Sequence, residues 1–80
     1  MYKTVIIDDD QLARKALRRI LDQNFREIVT VGEADGVATG ISRINELEPD
    51  LIFLDIEMPD GTGFNLLEKI KKFNFRVVFT

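Results

Sequence analysis

Hydrophobic positions along this chain alternate between short continuous runs and stripes at helical spacing. Residues 2–7 end in Val5-Ile6-Ile7 and read as a strand. Residues 11–23 read as an amphipathic helix, with Ala13, Ala16, Leu17, Ile20 and Leu21 on one side and Arg14, Lys15, Arg18 and Arg19 mostly on the other. A second strand is expected at 27–32. A second helix is expected at 36–47 from the spacing of Val37, Ile41 and Ile44, with Asp35 as its N-cap. Glu48-Pro49-Asp50 breaks the chain before the run Leu51-Ile52-Phe53-Leu54, and Met58 to Gly63 reads as a loop from its proline and glycines. A third helix is expected at 63–72 with Phe64, Leu67 and Ile70 facing inward, then a strand at Val77-Val78-Phe79. Phe64, Phe73, Phe75 and Phe79 read as core.

The order β-α-β-α-β-α-β indicates an α/β fold with a parallel sheet and right-handed crossovers. A strand that is apolar at every position is buried on both faces. Two such runs end in carboxylates: Ile7 leads into Asp8-Asp9-Asp10, and Leu54 leads into Asp55. In open parallel sheets the residues just past the strand C-termini line the ligand crevice, so these acids are expected to meet at one sheet edge. Like carboxylates repel, and a divalent cation removes the penalty. A closing strand with no helix after it leaves an edge and part of a face uncovered, so the chain is expected to be a piece of a longer domain.

Eighty residues allow one small domain, which buries only about 60% of its unfolded surface. No apolar run approaches the roughly 20 residues that a bilayer requires, and no secretory pattern opens the chain, so a cytoplasmic location is expected. The chain has no cysteine and no histidine. Disulfides, thiolate metal sites and histidine-based nucleophile activation are thereby excluded, and any metal must be a hard cation held by oxygen. A net charge of −3 argues against nucleic-acid binding by this segment.

Asp55 can act as a nucleophile without a base, because a carboxylate of ordinary pKa, about 3.9, is ionised at neutral pH. A phosphoryl group is the natural electrophile, since a cation that neutralises the acids also holds phosphoryl oxygens. Asp8 and Asp9 read as metal ligands. Asp10 reads as an acid placed for the helix dipole. The basic face of the first helix reads as a solvated surface. Gly61-Thr62-Gly63 is too short for a nucleotide-binding fingerprint.

Taken together, Val5 to Asp10 and Leu51-Ile52-Phe53-Leu54-Asp55-Ile56-Glu57-Met58-Pro59-Asp60-Gly61-Thr62-Gly63 resemble the receiver domain of two-component response regulators. The resemblance implies a flavodoxin-like, doubly wound parallel sheet. It makes Asp55 the phosphoacceptor, and Asp8, Asp9, Asp55 and the Glu57 backbone carbonyl the magnesium ligands. It also implies a sensor histidine kinase as partner and control of an output, which is expected to be transcription. Leu12 to Leu17 and the stretch around Asp55 are most similar to regulators with a LytTR-type DNA-binding domain. Receiver domains also carry a Lys-Pro on a fifth strand, and none of Lys3, Lys15, Lys69, Lys71 or Lys72 fits that role. The family's switch Thr or Ser falls at Thr80 or just after it. With the fourth helix, fifth strand and fifth helix outside residues 1–80, weak magnesium binding and poor phosphate acceptance are expected.

Two other readings compete. A haloacid-dehalogenase-like phosphohydrolase also uses a strand-end aspartate and magnesium, but carries a second aspartate where this chain has Glu57. An inactive half-domain is the other, with the uncovered last strand pairing two copies into a homodimer.

Overall fold

The computed structural model describes residues 1–80 as a four-stranded parallel sheet with helices on both faces. The elements are β1 (Tyr2–Ile7), α1 (Gln11–Asn24), β2 (Ile28–Ala34), α2 (Val37–Leu47), β3 (Leu51–Leu54), β4 (Glu57–Met58), β5 (Gly61–Thr62), α3 (Gly63–Glu68) and β6 (Arg76–Phe79). The sheet order is β2-β1-β3-β6. Its order reverses direction at β1, so the C-terminal ends of β1 and β3 lie side by side at the crevice of a doubly wound sheet.

The continuous apolar runs form the two central strands, as their pattern requires. Val5, Ile7, Ile52 and Leu54 are fully buried on the face covered by α2 and α3, where they pack with Val37, Ile44, Met58, Leu66 and Phe75. Ile6 is buried on the opposite face, which α1 covers with Leu21. The parallel register sets Ile7 against Leu54 and Leu54 against Phe79, so the residues that follow all three strands emerge at one edge.

Several expectations are corrected. The second strand runs on to Ala34. Asp35 does not cap α2: Gly36 holds the N-cap position without a side-chain bond, and Asp35 instead accepts from the Thr39 hydroxyl at 2.8 Å. The loop at 58–63 contains a small antiparallel hairpin pairing Glu57 with Thr62 and Met58 with Gly61. The third helix stops at Glu68, where Lys69 and Ile70 donate to Leu66 and Leu67, the tighter three-residue spacing of a closing turn.

The aromatic expectation fails at three of four positions. Phe75 is buried, whereas Phe64, Phe73 and Phe79 are each more than two-fifths exposed. Leu66 of α3 is fully buried and Leu67 and Ile70 pack partly buried against the core as expected, whereas Phe64 turns outward to lie against Phe79 of edge strand β6, with ring centroids 5.0 Å apart. The apolar stripe of α1 is likewise narrower than its spacing suggested: Leu21 is buried and Leu17 half-buried, but Ala16 and Ile20 are exposed.

Candidate functional site

The site is built by backbone pairing at the strand ends. The Asp8 N–H donates to the Ala34 carbonyl at 3.0 Å, and the Asp55 N–H donates to the Ile7 carbonyl at 2.9 Å, so both acids continue the ladder for one residue beyond the buried runs. Asp8, Asp9 and Asp55 then bring one carboxylate oxygen each to within 4.8 Å of one another. Asp8 and Asp55 are half-buried and Asp9 is exposed. Asp10 stands apart, its carboxylate accepting from the Leu12 N–H at 2.9 Å and the Ala13 N–H at 3.3 Å as the N-cap of α1. That is the dipole-facing role expected of it.

Each acid is held by its neighbours. Asp8 Oδ1 accepts from the Asp10 N–H at 2.9 Å, and Asp55 Oδ1 accepts from the Glu57 N–H at 3.3 Å. Partial burial is the largest influence on Asp55 and pushes its carboxyl above the usual value of 3.8. The Glu57 N–H opposes that shift, while the charge of Asp8 and the Asp9 and Asp8 carboxyls reinforce it. Asp55 therefore resists ionisation in the metal-free chain.

Those distances suit a hard divalent cation. Octahedral magnesium with bonds of about 2.1 Å sets its oxygens roughly 3 to 4 Å apart, the spacing the three carboxylates already approach. Thr80 donates its N–H to the Leu54 carbonyl at 2.9 Å, so in register it comes beside Asp55. Lys3 lies at the other end of the sheet, its ammonium donating to the Leu47 carbonyl at 3.2 Å.

Two residues of the site's surroundings escaped the sequence reading. Arg14, expected on a solvated face, has a side chain only 15% exposed. Its guanidinium donates to the Asp8 carbonyl at 2.6 Å and to Glu33 at 3.0 Å, and Arg18 meets the same Glu33 at 3.0 Å. Lys15 and Arg19 stay exposed. The second residue is Asp60, whose carboxylate accepts from the Val37 N–H at 2.8 Å and the Ala38 N–H at 3.1 Å. These bonds hold its carboxyl below 3.8.

A parallel α/β sheet of order β2-β1-β3-β6 with three acids gathered at adjacent strand ends defines a flavodoxin-like architecture. Residues 4–80 match the response regulator receiver domain, and the chain belongs to that family. It is 36% identical over 72 residues to the sensory transduction protein LytT of Bacillus cereus, covering 90% of this chain and 29% of that protein. It is 42% identical over 67 residues to the transcriptional regulatory protein BtsR of Escherichia coli, covering 84% of this chain and 28% of that protein. The response regulator domain of Thermotoga maritima CheB superposes with a TM-score of 0.86 at 32% identity, over 96% of this chain and 57% of that one. The chain thus spans less than a third of the length of these two curated relatives. Receiver domains serve signalling, and no helix here is long and apolar enough to cross a membrane.

Proposed function

We propose that Asp55 accepts a phosphoryl group from a sensor histidine kinase, with magnesium held by Asp8, Asp9, Asp55 and the Glu57 backbone carbonyl. The convergence of the three carboxylates at the ends of β1 and β3 carries this reading. In the transfer, an Asp55 carboxylate oxygen bonds to phosphorus as the bond from phosphorus to the donor breaks, and that bond's electron pair leaves with the donor. The cation supplies charge neutralisation for the incoming oxygens. Asp55 needs no general base, and Thr80, beside it in register, is the candidate switch hydroxyl at this end of the sheet. Residues 1–80 act as part of a receiver domain in a cytoplasmic regulator, and the likeness to the transcriptional regulatory protein BtsR supports an output in transcription elsewhere in the parent protein. Membership of the receiver family favours one phosphorylation event over the steady turnover of a phosphohydrolase.

Magnesium is expected to stabilise the chain strongly at pH 7.5 and hardly at all near pH 4. Because Asp55 has a raised pKa, its folded form holds the proton more tightly than the unfolded chain. Its contribution to metal-free stability is therefore greatest in acid and is lost as pH rises through the folded pKa. Magnesium requires the ionised cluster, so its effect runs the opposite way. At about 100 times its dissociation constant it adds about 2.7 kcal/mol. For a domain of this size that raises the unfolding midpoint by about 10 to 20 °C. Thermal unfolding followed by circular dichroism at both pH values, with and without magnesium, checks this. An equal magnesium effect at the two pH values, or none at pH 7.5, overturns the metal assignment.

A further inference from the structure

The loop that carries Glu57 is closed at its base by its own contacts. Gly63 donates its N–H to the Ile56 carbonyl at 2.8 Å, and Thr62 and Asn65 exchange reciprocal bonds of 2.9 and 3.0 Å at the start of α3. At its tip, Gly61 turns the chain at φ 145°, and Asp60 reaches across to α2. The first N–H groups of any helix lack partners within it. Here two of them are taken by a side chain 22 and 23 residues away in sequence.

The local sequence of α2 leaves that place to Asp60. Gly36 contributes no side chain, and a Cβ built on it would lie 2.8 Å from Asp60 Oδ1 and 3.1 Å from Oδ2. Asp35 is occupied by Thr39. The lowered pKa of Asp60 follows from the two backbone donors, so the link is ionised at neutral pH.

We propose that Asp60 is a positioning residue whose carboxylate tethers the Glu57 loop to the first turn of α2, so that loop and helix end move as one unit. Its effect on the metal pocket rests on the magnesium reading above. The tether itself is a property of the metal-free chain. Through it, filling of the acidic pocket is transmitted to α2, although α2 contributes no ligand.

Amide hydrogen exchange and magnesium titration by NMR, on the wild-type chain, Asp60→Asn, Asp60→Ala and Thr39→Val, test this. Asp60→Ala is expected to speed exchange about fivefold or more at Val37 and Ala38 and also at Ile56 to Met58, with Asp60→Asn intermediate because one acceptor oxygen remains. Thr39→Val loosens the same helix end from its other side and is expected to leave Ile56 to Met58 unchanged. In the wild type, magnesium is expected to shift the Val37 and Ala38 resonances, and in Asp60→Ala those shifts disappear while magnesium affinity falls about fivefold. The tether is overturned if Asp60→Ala affects only α2, or if Thr39→Val disturbs Ile56 to Met58 as much. Unchanged affinity in Asp60→Ala overturns its role in the pocket. A wild type that ignores magnesium brings down the metal reading alone, and the exchange comparison still decides the tether.

Discussion

Asp55→Asn is expected to reduce phosphoryl uptake from a small acyl phosphate to background while making the metal-free chain more stable at neutral pH. The two effects have separate origins in one side chain. Uptake needs an ionised carboxylate oxygen to attack phosphorus, and an amide oxygen is a far weaker nucleophile; losses of an essential nucleophile run to several orders of magnitude. The stability gain comes from electrostatics. Asp55 is partly buried beside Asp8 and Asp9, and its raised pKa means that the folded chain resists its ionisation. A neutral amide of the same shape removes that resistance and retains an oxygen to accept from the Glu57 N–H.

Mass spectrometry for the added phosphoryl group, together with urea unfolding at pH 7.5 with and without magnesium, checks both halves. In magnesium the order of stability reverses, because the wild type gains a ligand-linked term that the variant has largely lost. Undiminished uptake in Asp55→Asn would move the phosphoacceptor elsewhere. A variant less stable than the wild type without magnesium would mean that the Asp55 carboxylate is held by contacts that outweigh its repulsion by the neighbouring acids.

What could be read from the sequence was whatever depends on period and chain order. Val5-Ile6-Ile7 and Leu51 to Leu54 announce strands buried on both faces, and strands of that kind align in a parallel sheet with a common exit edge. The meeting of Asp8, Asp9 and Asp55 follows from that geometry without knowledge of any side-chain contact. Asp60 was beyond such reading because its partners, Val37 and Ala38, are distant in sequence and belong to the backbone, which carries no sequence signal. Asp35 has the local chemistry of an N-cap, but the distant Asp60 takes the Val37 and Ala38 N–H groups in its place. Arg14 differs from its expected solvated setting for a related reason: helical spacing gives the side of the helix, but its long side chain reaches around to Glu33 and the Asp8 carbonyl. The phenylalanines show the limit of hydrophobicity as a guide, since which aromatic is covered depends on what packs over β6 and α3 rather than on the residue itself. Thr62 and Asn65 were more accessible, because a Thr with an amide three residues later is a local capping pattern.

Gly63→Ala is expected to be far more damaging than Gly32→Ala, although the nearest approach of an added Cβ is almost the same at both. At Gly32 the nearest atom, 2.6 Å away, is Leu47 Cδ1, the end of a half-buried flexible side chain that can rotate aside. Alanine there also recovers about 0.5 to 1 kcal/mol that glycine costs inside a strand. At Gly63 the nearest atom is the Asp55 carbonyl oxygen at 2.7 Å, with Leu54 Cγ at 3.0 Å. Neither yields readily: the Asp55 N–H is bonded to Ile7, Leu54 is fully buried, and the Gly63 N–H is bonded to Ile56. Relief requires β3 and α3 to separate, and overpacking of this kind costs about 1 to 3 kcal/mol. Total stability for a chain of this length is about 4 to 12 kcal/mol, so Gly63→Ala removes a large share of it and lowers the unfolding midpoint by about 5 to 20 °C. The displaced backbone belongs to Asp55 itself, and a misplacement near 1 Å at a reacting group costs about a hundredfold in rate. Phosphoryl uptake is therefore expected to fall in Gly63→Ala even below its unfolding midpoint, and to remain near the wild-type rate in Gly32→Ala. Equal losses of stability in the two variants would show that the end of β3 adjusts as freely as the Leu47 side chain, and that Asp55 is not rigidly placed by its contact with α3.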